Sequence, residues 1–72
     1  MIEIVYYSEV MGNYGKKKSG KSPLVIEQIL KNPEEFTDDI TFQDSVGNIY
    51  FIDDLIGKEV MVGSETFVVT DN

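Results

Sequence analysis

"ITFQDSVGNIYFIDDLIGKEVMVGSETFVV", residues 40–69, decides the fold. "ITFQ" and "NIYFI" flank "DSVG", a turn in which Gly47 is free to take positive φ. "EVMV" and "ETFVV" flank Gly63-Ser64, and a glycine at the first central position of a two-residue loop marks a primed hairpin turn. "DDLIG" between the hairpins reads as a tight turn or one helical turn with Leu55 tucked inward. The unbroken apolar run "IYFI" predicts a strand covered on both faces. Connections this short cannot make parallel crossovers, so residues 40–69 are expected to form a meander of adjacent antiparallel strands.

Upstream, "IEIVYY" (2–7) reads as a further strand, with Ile2, Ile4 and Tyr6 on one face and Glu3, Val5 and Tyr7 on the other. Residues 11–21, with three Gly and four Lys, read as a mobile basic loop or hairpin tip. Ser22 stands at an N-cap position with Pro23 at the first helical position. A helix over 23–31 follows, with Val25, Ile26, Ile29 and Leu30 as its buried stripe and Glu27, Gln28 and Lys31 toward water. Asn32-Pro33 ends it, because the residue before a proline is pushed out of the helical region. "NPEEF" reads as a second short helical turn capped by Asn32.

Composition agrees with a sheet-dominated chain. Ile and Val occur eight times each, Leu three times and Ala not at all, and β-branched side chains suit pleated surfaces better than helices. The expected fold is α+β over a single small domain, 1–72: a mostly antiparallel five-stranded sheet, flat or curled into a half-open SH3-like barrel, with one short helix. No apolar run is long enough to span a bilayer and the N-terminus lacks the form of a secretory signal, so a cytoplasmic setting without membrane partners is expected.

"GKKKSGKS" (15–22) fits the phosphate-loop pattern G-x-x-x-x-G-K-[ST], and "IYFIDD" (49–54) has the look of a magnesium-holding strand. The context argues against both. About seven residues separate the first strand from Gly15, Pro23 has no N–H to offer a phosphate, and "IYFIDD" follows a hairpin turn, whereas such hydrolases are built on parallel sheets. The chain also lacks His, Cys, Arg and Trp. Thiol chemistry is thereby excluded, and bases and nucleophiles are restricted to carboxylates, Ser, Tyr and Lys. No catalytic residue, cofactor or metal site is assigned, since none of the acid pairs has calcium-loop spacing.

Charge supplies the functional expectation. The net charge is −7. Residues 1–31 hold five Lys against Glu3, Glu9 and Glu27, whereas residues 32–72 hold Lys58 against ten acids. The expected function is a non-enzymatic binding module that meets a protein partner through Asp38, Asp39, Asp44, Asp53, Asp54 and Glu59. Its small size and its Lys-, Ile- and Asn-rich composition suit an inhibitor or modulator encoded by a phage or mobile element. The alternative is a nucleic-acid or phosphate binder using Tyr14, Lys16, Lys17, Lys18 and Lys21, where rings stack on bases and ammonium groups meet phosphates. A third reading is a structural subunit of a larger assembly.

Overall fold

The structure is a computed structural model that describes residues 1–9, 18–33 and 40–70. Its elements run β1 (Ile2–Glu9), β2 (Ser19–Gly20), α1 (Pro23–Lys31), β3 (Ile40–Asp44), β4 (Ile49–Phe51), α2 (Ile52–Leu55), β5 (Glu59–Val62) and β6 (Glu65–Val68). The class is α+β and dominated by sheet, with six strands among the described residues where the sequence suggested five. The sheet is open, in the order β4-β3-β1-β5-β6, with β2 also paired to β1.

Local chemistry fixes α1 as expected. Ser22 is extended and its Oγ accepts a long hydrogen bond from the Val25 N–H at 3.5 Å. Pro23 occupies the first turn, where its missing N–H costs nothing. Asn32 closes the helix, its backbone N–H donating to the Ile29 carbonyl at 3.3 Å. Ile26, Ile29 and Leu30 are buried, and Val25 packs at the margin of the core. Residues 34–36 of the turn expected over "NPEEF" (32–36) lie outside the described residues.

Both hairpins form at the expected turns. Thr41, Phe42 and Gln43 pair with Phe51, Tyr50 and Ile49, and Gly47 has φ +93°. Val62 pairs with Glu65 across Gly63-Ser64, and Gly63 has φ +62°. The two hairpins do not meet, however. β1 lies between them, antiparallel to β3 and parallel to β5. The single meander expected over 40–69 is therefore two separate hairpins, each zipped to one edge of the N-terminal strand. Sequence proximity favours hairpins, but it carries no information on which distant strand will sit between them.

β1 changes partner along one edge. Ile2 and Glu3 pair with Val60 and Met61 of β5, and Tyr7 and Ser8 pair with Gly20 and Ser19 of β2. Between the two, the register to β3 slips by one residue: Ile4 faces Asp44, while Tyr6 faces Gln43. Val5 is the extra residue of this bulge. The slip resets side-chain parity, so Tyr7 and not Tyr6 shares the core side with Ile4; Tyr7 packs against the core. The expected alternation Ile2, Ile4, Tyr6 is corrected accordingly. At the end of the basic loop Ser19-Gly20 pairs antiparallel with β1, as the returning strand of a hairpin does, and the Glu9 N–H donates to the Lys18 carbonyl at 2.7 Å. Residues 11–17 of that loop lie outside the described residues.

One face of the sheet carries the core. α1 packs over β1 and β5, and α2 packs against β3 and β4. Ile4, Phe42, Val60 and Val62 from the sheet meet Ile26, Ile29 and Leu30 from α1, Ile52 and Leu55 from α2, and Val69. Leu55 is wholly buried, as its place in "DDLIG" suggested. β4 is an edge strand with a single covered face. Ile49 and Phe51 are exposed, contrary to the double coverage expected of "IYFI". The apolar run continues past β4 because Ile52 begins α2 and turns back under the sheet.

Candidate functional site

Residues paired across neighbouring strands lie on the same face of a sheet. Following the register out from the buried Phe42 and Val60 therefore assigns the opposite face. It carries Ile49 and Phe51 from β4, Thr41 and Gln43 from β3, and Glu3, Tyr6 and Ser8 from β1. It also carries Glu59 and Met61 from β5 and Thr66 and Val68 from β6, and the bulged Val5 is exposed as well. The apolar members are well exposed: Ile49 by 62%, Phe51 by 47% and Val68 by 51%. Scattered exposed apolar residues need no explanation, but several on one sheet face form a surface of the kind that partners use.

The charged members of this face are Glu3 and Glu59. No described strand contains a lysine, whereas the strands contain Glu3, Glu9, Asp44, Glu59 and Glu65. The described ion pairs lie elsewhere: Lys31 Nζ sits 2.9 Å from Glu27 Oε1 and 3.4 Å from Glu65 Oε2. The same ammonium stands 5.1 Å from the centroid of the Phe67 ring, tying the end of α1 to β6. The hydrogen bond to Glu27 holds the pKa of Lys31 above the ordinary lysine value.

The acids singled out from the sequence divide into three groups. Glu59 lies on the open face, and Asp53 and Asp54 are exposed on α2. Asp54 is partly engaged, its Oδ2 accepting from the Phe51 N–H at 2.9 Å at the start of that helix. Asp44 turns inward to its own hairpin. Its Oδ1 accepts from the N–H groups of Val46 and Asn48 at 3.0 and 2.9 Å, and its Oδ2 accepts from Asn48 Nδ2 and the Tyr50 hydroxyl, each at 2.9 Å. Partial burial works against its charge, but these four donors outweigh it and hold the carboxyl below the usual range. The bond from Asp44 raises Tyr50 correspondingly. Asp44 thus builds the turn. Asp38 and Asp39 lie outside the described residues, as do Tyr14, Lys16 and Lys17.

Lys18 and Lys21 are exposed on either side of β2. The described end of "GKKKSGKS" is a strand followed by a helix cap: Ser19 and Gly20 are paired with β1, and the Ser22 hydroxyl is engaged by the Val25 N–H. A phosphate loop instead aims successive free amides at its anion and begins its helix at the lysine. "IYFIDD" likewise divides between an edge strand antiparallel to β3 and the short helix α2. Among the described residues, no three His, Cys, Asp or Glu side chains cluster as metal ligands, and no helix is long and apolar enough to cross a membrane.

Sequence reasoning missed Glu3, Tyr6, Ile49, Phe51, Met61 and Val68 as a set. A signal for the β4 members was present: a three-residue strand between Asn48 and an acid-started helix is short, as edge strands are. No signal marked the bulge at Val5, which places Tyr6 on this face. No family model matches the chain, and no curated protein or solved structure matches it significantly.

Proposed function

We propose that this chain is a non-enzymatic binding module that docks on a protein partner through the open face of its sheet. One observation carries the reading: the large exposed side chains Ile49, Phe51 and Val68 share the face opposite the core, with Tyr6 and Met61 between them. Each of the three is about half exposed, so completing its burial would contribute on the order of 1 kcal/mol. Thr41, Gln43, Ser8 and Thr66 supply hydrogen-bonding groups among them. Large apolar side chains exposed on one sheet face, with hydrogen-bonding groups between them, support a docking surface. Of the acidic residues expected from the sequence, Glu59 lies on this face and Asp53 and Asp54 on the neighbouring helix, and Glu3 joins Glu59 on the face.

The test is affinity capture with matched variants. Ile49→Ser with Phe51→Ser should abolish retention of the partner while the circular dichroism spectrum is kept. Lys18→Ala with Lys21→Ala should leave retention intact. The opposite pattern would reject the open face and favour the basic segment.

A further inference from the structure

We infer that the occupant of the open face is a basic protein segment, whose lysine or arginine side chains pair with Glu3 and Glu59 while its apolar side chains cover Ile49, Phe51 and Val68. This inference rests on the docking reading above and adds the chemistry of the partner. Among the described residues neither Glu3 nor Glu59 takes part in an ion pair, and no strand offers a lysine to pair with either. Covering the face would desolvate both carboxylates, which costs free energy unless the covering surface brings cations.

The same charges disfavour the other occupants. A second copy packed face to face would bring the Glu3 and Glu59 carboxylates of both protomers into one interface with no strand lysine to neutralise them, and each copy carries −7 overall. Nucleic acid and anionic lipid surfaces would meet unpaired carboxylates of their own sign. A partner that presents cationic and apolar side chains on one and the same surface meets both features of the face, and opposite charge also speeds its encounter.

The experiment uses the full chain, isotopically labelled, and three short peptides with Thr at every second position, so that one face of the extended peptide carries Val together with Lys, with Ser or with Glu. The Val–Lys peptide is expected to shift the amide signals of Glu3, Tyr6, Gln43, Ile49 and Met61. Two solvent-accessible charge pairs should tighten its binding up to about tenfold over the Val–Ser peptide at low salt. Glu3→Gln with Glu59→Gln should erase that preference, and the Val–Glu peptide should bind weakest. Equal binding of the Val–Lys and Val–Ser peptides on the open face would overturn the inference and leave the docking face standing. Shifts confined to α1 or to the Lys18–Lys21 segment, or no shift with any peptide, would overturn both. Concentration-dependent dimerisation in light scattering, with the same open-face signals moving in the free protein, would assign the face to a second copy.

Discussion

Deleting Val5 from the central strand should do less harm than deleting Met61 from its neighbour. A one-residue deletion in a strand ordinarily sends every side chain beyond it to the wrong face. β1 already contains a one-residue excess: Ile4 faces Asp44 and Tyr6 faces Gln43, so Val5 has no partner on β3. Removing it leaves Ile4 and Tyr7 on the core side and Tyr6 on the open side. The loss is confined to Val5 itself, which is already 37% exposed, or about 1–2 kcal/mol of burial. Met61 lies between the buried Val60 and Val62 in a strand paired on both edges. Its deletion turns one of those valines out of the core and breaks the register of the β5–β6 hairpin, at about 2–5 kcal/mol. A chain of this length has roughly 4–11 kcal/mol in total, so the second variant should be marginal or unfolded. Urea titrations at a slope of about 1 kcal/mol/M would place the Val5 deletion about 1–2 M below the parent midpoint, with the Met61 deletion lower still. Cross-strand contacts between Tyr7 and Phe42 should persist in the NMR spectrum of the Val5 deletion, and the Tyr7–Gly20 pairing should fray first, because the bulge separates the two partners on that edge. A Val5 deletion as damaging as the Met61 deletion, or one that moves Tyr6 into the core, would refute the bulge.

Three further predictions test the turns and the two faces. Gly63→Ala should destabilise more than Gly47→Ala in thermal melts: both positions have positive φ and should cost about 1 kcal/mol or more, but a Cβ at Gly63 also lies 3.2 Å from Pro23 Cβ, while one at Gly47 meets nothing within 4 Å; equal losses would show that the β5–β6 turn does not rest on α1. Asp44 has a lowered folded-state pKa, so its contribution is complete above the ordinary value of 3.8 and is lost as pH falls through the lower folded value; urea midpoints measured between about pH 2 and pH 5 should fall less steeply for Asp44→Asn than for the parent, and parallel slopes would sink the assignment. Ile49→Ser and Phe51→Ser should each change stability by no more than about 1 kcal/mol, whereas Phe42→Ala should cost about 3–5 kcal/mol; comparable losses in denaturant titrations would mean that β4 has a second covered face.

What the sequence made legible was local. Ser22-Pro23 and Asn32-Pro33 bound α1 because caps and prolines act within one turn of the chain. Gly47 and Gly63-Ser64 located the hairpins because only a few residue types accept positive φ. The placement of β1 between the hairpins was not legible, since it depends on which distant edges zip together. The bulge at Val5 was hidden for a related reason: Ile, Val and Tyr satisfy either parity, and the register to β3 decides between them. The role of Asp44 is readable in the turn itself. An aspartate at the first position of a turn with Gly three residues on is the usual start of such a turn, and this one accepts bonds from Val46, Asn48 and Tyr50. Its hydrogen-bonding capacity, and not its charge, decides its place in the fold.

The open face follows from the lengths of the elements. Five strands at a spacing of about 4.8 Å make a sheet about 19 Å across, while a nine-residue helix is about 13 Å long and α2 adds a single turn. Together these cover one side of the sheet, and the described residues hold no further helix to cover the other. Stability accordingly rests on the side that holds Phe42, Leu30, Leu55 and Val60. The opposite side is freed from packing constraints, so its composition reflects solubility and contact. Solubility alone would place charge and small polar groups at the edge strand, yet Ile49 and Phe51 stand there with no lysine on any described strand. Edge strands are ordinarily blunted by such lysines. Leaving the edge apolar while the carboxylates of Glu3 and Glu59 hold the middle of the same face makes sense for a surface that is covered in use, and covered by something carrying positive charge.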